Sequence, residues 1–163
     1  MKYFLGLDIG TSGAKALLCD DQGQIINIAM ADYPLYTPFP LWSEQDPEDW
    51  WDGACQAIQE VVSGAAIPPA EIAAIGITGQ MHGAVFLDKN NQVIRRALLW
   101  NDQRTAAECE QITEIIGYER LIEISGNPAL RVSKPPKFCG CVITNLKIMI
   151  GLKKSCSLRI TFA

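Results

Sequence analysis

The chain has 163 residues, 48% of them hydrophobic and 20% charged, with a formal net charge of −4. That length suffices for one domain with a core, the composition is ordinary for a water-soluble protein, and no apolar run is long enough to span a bilayer. The opening Met1-Lys-Tyr-Phe-Leu-Gly-Leu-Asp8 meets charge too soon for a signal peptide, so a cytoplasmic location and no membrane partner are expected.

Residues 3–8, 14–20 and 25–31 read as three strands, with turn chemistry at Asp21-Gln22-Gly23-Gln24. Their short connections imply an antiparallel meander. A helix follows, with Asp46 as N-cap, Pro47 as first residue and Glu48 and Asp49 at the positive end of the dipole. Trp51, Ala54, Cys55, Ile58, Val61 and Val62 recur at helical period as its expected buried face, and Gly64 is expected to end it. Residues 72–78 read as a buried strand. Residues 84–88 and 93–100 read as two more, joined at Lys89-Asn90-Asn91. Asp102 is placed to cap a helix from about 103 to 116 closed by Gly117, and a short helix covers 118–124.

The most informative segment is Leu7-Asp8-Ile9-Gly10-Thr11-Ser12-Gly13-Ala14-Lys15, between the first two strands. It lacks the Gly-Lys-Ser/Thr of a Walker A loop, and its glycines do not fall at dinucleotide-fold spacing. Gly10 and Gly13 permit positive φ and close backbone approach. Thr11 and Ser12 offer hydroxyl and amide donors to a phosphate oxygen. Asp8 would repel phosphate unless a cation lay between, which argues for Mg²⁺. Lys15 reads equally well as a phosphate contact or an exposed strand residue. A plain turn explains the same residues about as well on turn chemistry alone.

A second constellation is Ala74-Ile75-Gly76-Ile77-Thr78-Gly79-Gln80-Met81-His82-Gly83. Its glycines let a loop lie flat against a small ligand, and Gln80 and His82 bring the donors and acceptors that a polyol needs. A lone histidine is more often structural, and Met81 alone reads as core.

These segments resemble the FGGY carbohydrate kinase family, and within it the xylulokinases. Gly79-Gln80-Met81-His82-Gly83 is similar to the sugar-contacting loop of that group, and Leu41-Trp42-Ser43-Glu44-Gln45-Asp46-Pro47 with Trp50-Trp51 to the segment opening its first long helix. Leu99-Trp100-Asn101-Asp102-Gln103-Arg104 resembles its Trp-x-Asp-x-Arg segment. The meander, crossover helix and following strand likewise resemble the opening of the ribonuclease H-like α/β fold of actin and hexokinase, here an incomplete N-terminal domain. The resemblance implies ATP-dependent phosphorylation of a ketopentose, D-xylulose to D-xylulose 5-phosphate. Asp8 (as Mg²⁺ ligand), Gly10, Thr11, Ser12 and Lys15 would serve ATP–Mg²⁺. Gln80, Met81, His82, Asp102 and Arg104 would line the sugar side. A homodimer is the implied assembly of the full-length enzyme. The family's general-base aspartate has no counterpart in this sequence, so the alternative is a non-catalytic half-domain that binds sugar or phosphate weakly. Trp42 and Trp100 read as core in preference to stacking on a sugar face.

The resemblance covers residues 1–130, which carry all 18 acidic residues against 7 basic ones, a net −11. Residues 131–163 carry the other 7 basic residues and no acid, a net +7. The cations of that tail are not interleaved with aromatics as a nucleic-acid surface would require. Codons permitted for 131–163, read one base earlier, spell Gly-Phe-Gln-Ala-Pro-Lys-Ile-Leu-Trp-Leu-Arg onward, a run similar to the family's continuation, so the tail reads as frameshifted. Of the six cysteines, Cys19, Cys55 and Cys109 read as reduced, packed thiols, and Cys139, Cys141 and Cys156 lack zinc-site spacing.

Overall fold

The computed structural model describes residues 2–131, 136 and 159–162. The chain divides into two compact units, Met1–Leu35 with Asp46–Gln80, and Tyr36–Gln45 with Met81–Ala163. Most of the basic tail, including Cys139, Cys141 and Cys156, lies outside the described residues.

In the first unit, β1 (Tyr3–Ile9), β2 (Gly13–Asp20) and β3 (Ile25–Asp32) form the expected antiparallel meander. The β2–β3 turn is local chemistry: Gln22 and Gln24 donate their backbone N–H groups to Asp20 Oδ1 at 2.9 and 2.8 Å, and Gly23 takes φ +81°. Helix α1 (Pro47–Ala65) then crosses over to β5 (Ile72–Gly79), which pairs parallel to β1. The sheet order is β3-β2-β1-β5.

Asp46 caps α1 as expected, its side chain accepting from Glu48 N–H. Two details of α1 differ from the sequence reading. Gly64 is still helical, and the left-handed residue that ends the helix is Ala66 at φ +53°. Gly64 is small because Asn27 of β3 lies over it: a Cβ there would sit 2.6 Å from Asn27 Nδ2, and that amide donates to Val61 O at 2.9 Å. The buried stripe is Trp50, Gly53, Ala54, Ala57 and Val61, while Trp51 is 68% exposed. The sheet surface beneath is floored by Ala14, Ala16 and Ala31, and the small residues of the helix let it approach closely.

β5 was expected to be buried and is instead an exposed edge, with Ile77 71% accessible. Its one neighbour among the described strands is β1. An apolar run signals burial in a finished sheet but does not supply the strand or helix that would cover it.

In the second unit, β4 (Glu44–Gln45), β7 (Val93–Leu98), β6 (Ala84–Leu87) and β8 (Arg159–Phe162) lie in that order, all antiparallel. Ala84, Phe86 and Leu98, with Ile94 against them, form its core. β4 and β8 have no counterpart in the sequence reading. Helix α2 starts at Ala106, three residues later than expected, and ends before Gly117 at φ +87°. α3 (Tyr118–Ser125) ends at Gly126 in the left-handed region.

Candidate functional site

The turn from β1 to β2 is held on three sides within the first unit. Gly10 N–H donates to Gly13 O at 3.1 Å, closing the turn. Gln80, at the end of β5, donates its backbone N–H to Ile9 O at 2.9 Å. Tyr33, just past β3, donates its backbone N–H to Ser12 O at 3.3 Å and its hydroxyl to Gly10 O. Of the two roles expected of the glycines, positive φ is found at neither Gly10 nor Gly13. Gly13 is needed for close approach: a Cβ there would lie 2.5 Å from Ala31 O and 3.1 Å from Asp32 Cα. At Gly10 the nearest atom, Gly13 O, would be 3.3 Å away.

One residue from each of the two expected segments meets here. Thr11 Oγ1 donates to Gln80 Oε1 at 3.3 Å, joining the phosphate-type loop to the start of the Gln-Met-His loop. Beside them, Asp8 is flanked in register by Lys15 on β2 and Thr78 on β5, and the next row down is Leu17, Gly6 and Gly76. An added Cβ at Gly6 or Gly76 would meet nothing closer than 4.0 Å. The glycine strip therefore floors an open, mostly apolar groove of about 490 Å³ lined by Leu7, Leu17 and Ile77 together with Asp8, Lys15 and Thr78. No group of three or more His, Cys, Asp or Glu gathers for a metal among the described residues. A single accessible carboxylate at a strand end fits Mg²⁺ held jointly by protein and ligand phosphate.

Tyr33 gives this arrangement a measurable signature. Burial, then the Asp8 carboxylate, push its phenol from 10.0 up to about 12. A folded-state value above the unfolded one contributes stability that is present below pH 10.0 and is lost as pH rises toward about 12. Ultraviolet titration should show a phenolate component appearing at about pH 12 that is missing in Tyr33→Phe. Loss of a component near the ordinary phenol value of 10.0 in Tyr33→Phe, in place of one at about pH 12, would refute it.

In the second unit, Met81 and His82 are exposed, and His82 takes φ +60°. A left-handed non-glycine residue stores strain of about 1–3 kcal/mol, a feature concentrated at ligand-binding loops. Asp102 and Arg104 are built into a network. Asp102 has no exposed surface. Its Oδ2 accepts Ser43 N–H at 2.7 Å and Arg104 Nη2 at 2.6 Å, and its Oδ1 accepts Arg104 N–H at 3.1 Å. So Asp102 shapes a turn and does not cap α2, whose N-cap is Thr105. Arg104 Nη1 also meets Glu44 Oε1 at 2.8 Å, Glu44 pairs with Arg95, and the Arg104 guanidinium stacks 3.6 Å from the Trp42 ring centroid. Burial lowers the Arg104 pKa, but hydrogen bonds to Asp102 and Glu44 outweigh it and hold the group above the usual arginine range. Trp42 therefore packs on a cation rather than in a core, and Trp100 is 43% exposed. Sequence reasoning missed Tyr33, Ser43, Glu44 and Arg95 as parts of these networks, since each acts on a partner far along the chain. Cys109 is buried, which raises its thiol pKa.

A family model for the FGGY family of carbohydrate kinases, N-terminal domain, matches residues 3–137. The xylulose kinase of Klebsiella pneumoniae is 41% identical over 134 residues, 82% of this chain and 27% of that protein. The glycerol kinase of Acaryochloris marina is 42% identical over 113 residues, 69% of this chain and 22% of that one. The crystal structure of a xyloylose kinase from Brucella ovis aligns with a TM-score of 0.81 at 34% identity, covering 91% of this chain and 30% of that one. The chain thus spans less than a third of the length of each of these relatives. These likenesses bear out the partial actin/hexokinase-type α/β domain, and with a family model over most of its length the chain belongs to the FGGY family of carbohydrate kinases.

Proposed function

We propose that the chain carries the phosphate loop and sugar loop of an ATP-dependent kinase that phosphorylates a ketopentose, D-xylulose. The observation that carries this reading is the Thr11–Gln80 hydrogen bond, which ties the two loops together. Asp8 would hold Mg²⁺, which supplies charge neutralisation to the transferring phosphate. Thr11 and Ser12 would donate to phosphate oxygens, with Lys15 beside them. Gln80, Met81 and His82 would face the sugar hydroxyls, while Asp102 and Arg104 hold the 42–44 segment in shape on that side. The similarity to a glycerol kinase keeps glycerol as the competing substrate.

By itself the 163-residue chain binds these ligands without turning them over, because the family's general base has no counterpart in it. The abrupt change of charge after Leu130 is read as a shift of reading frame, and sequencing the coding DNA across codons 125–163 tests it: the alternative frame should stay open and family-like.

Nuclear magnetic resonance of the labelled chain tests the binding reading. Mg²⁺–ATP should move the amides of residues 8–12, D-xylulose those of 80–82, and glycerol should move the latter less. Asp8→Asn should weaken Mg²⁺–ATP binding roughly tenfold while leaving sugar binding intact. Shifts confined to other regions, or measurable xylulose phosphorylation by the chain alone, would contradict the proposal.

A further inference from the structure

We propose that Tyr33 is a positioning residue for the phosphate loop, clamping two of its carbonyls against helix α1 so that the opposite edge of the loop faces the ligand. The proposal rests on the reading of Gly10–Gly13 as a phosphate loop. No motif marks Tyr33, and it lies outside every segment that the family resemblance picks out.

The geometry is specific. Tyr33 grips the loop twice, through its hydroxyl on Gly10 O and its backbone N–H on Ser12 O at 3.3 Å. Every peptide bond described is trans, and in a trans peptide the C=O and the following N–H point in opposite directions. Holding Gly10 O toward Tyr33 therefore turns Thr11 N–H away from it. Left unclamped, the Gly10–Thr11 peptide can tilt its carbonyl toward an anionic ligand, because Gly10 tolerates a wide range of ψ, although Thr11 opposes a complete flip. The clamp has a rigid backing. Tyr33 is buried, and its ring lies over Gly53 of α1, where a Cβ would sit 2.8 Å from Tyr33 Cδ1. Gly53 is in turn part of the stripe that packs on Ala14, at the start of β2. Helix, tyrosine and loop thus form one stack, and the glycine in α1 is the vacancy that admits the ring.

The experiment uses the labelled chain with Mg²⁺ and inorganic pyrophosphate as the probe. In the wild type, pyrophosphate should shift the Thr11 and Ser12 amides. In Tyr33→Phe, which keeps the ring and removes the hydroxyl, the Gly10 carbonyl carbon should move upfield. Amide exchange at residues 10–13 should rise severalfold with exchange elsewhere unchanged, and pyrophosphate affinity should fall roughly tenfold. Gly53→Ala, which displaces the ring but keeps the hydroxyl, should lower the affinity in the same direction. A general loss of stability would raise exchange throughout the sheet, so localisation of the change to 10–13 separates positioning from folding. Equal pyrophosphate affinity and equal Gly10 carbonyl shift in wild type and Tyr33→Phe would overturn the clamp while leaving the phosphate reading standing. Absence of any Thr11 or Ser12 response in the wild type would overturn the phosphate reading, and the clamp's role with it.

Discussion

Replacing Asp102 with alanine is expected to destabilise the second unit by about 3–5 kcal/mol, the range for removing one partner of a buried ion pair. Asp102 is fully buried, and its carboxylate both satisfies Ser43 N–H and neutralises Arg104, whose side chain is 11% exposed. Without it, Ser43 N–H loses its acceptor, and Arg104 retains the Trp42 ring and Glu44, which already serves Arg95. Asp102→Asn should fall between the two, since an amide oxygen can still accept from Ser43 but carries no charge. Arg104→Met made together with Asp102→Ala should recover part of the loss, because the uncompensated cation is then gone. Urea unfolding of the wild type, Asp102→Ala, Arg104→Met and the double variant measures the cycle. A loss below about 1 kcal/mol for Asp102→Ala would show that the network is an exposed-type pairing.

That network also shows where the sequence stops being readable. The Asp102–Arg104 contact is two residues long, and its segment stood out at once. Glu44 and Ser43 join it from nearly sixty residues away, and no local pattern announces such a meeting. Helix α1 divides in the same way. Its start is written in local chemistry, through Asp46, Pro47 and the acids that follow, and the structure agrees. Its buried face is not, because two apolar stripes interleave around the helix, and the sheet chooses the one carrying Gly53, Ala54 and Ala57. Shape complementarity with Ala14, Ala16 and Ala31 decides, and hydrophobicity alone does not.

β5 makes the same point about burial. Ile72–Gly79 has the composition of an inner strand, yet it is the exposed edge of this sheet. The relatives are more than three times longer than the matched segment, and a parallel strand ordinarily has cover on both faces. Among the described residues, β1 is the one strand that pairs with β5, whose apolar side chains stay largely exposed. The two loops, by contrast, were legible because each gathers glycines and polar side chains close together in sequence, and the structure joins them through Thr11 and Gln80. Even there the sequence left two reasons for the glycines, positive φ and close approach, and the structure bears out only the second, at Gly13. The sequence shows that a side chain is missing, and only the fold shows whether a dihedral or a neighbour excludes it.

A graded glycine series turns that distinction into an expected result. Gly13→Ala is expected to cost about 1–3 kcal/mol, the range for overpacking a fitted site. Its backbone is open to alanine, since φ is not positive, so the penalty is purely steric. The new Cβ would lie 2.5 Å from Ala31 O and 3.1 Å from Asp32 Cα, against backbone that the β2–β3 pairing fixes in place. Relief requires the Gly13–Asp32 pair to open, which also displaces the loop and should weaken pyrophosphate binding together with stability. Gly10→Ala should cost less, because its one close neighbour, Gly13 O at 3.3 Å, can yield by a few tenths of an ångström. Gly76→Ala meets nothing within 4 Å and should be neutral or stabilising by up to about 1 kcal/mol, through the reduced entropy of the unfolded chain. Thermal and urea unfolding of the three variants should therefore rank the losses Gly13 above Gly10 above Gly76. Equal losses at Gly13 and Gly76 would mean that strand propensity, not the close approach to β3, sets the requirement for glycine, and the steric account of the loop would fall.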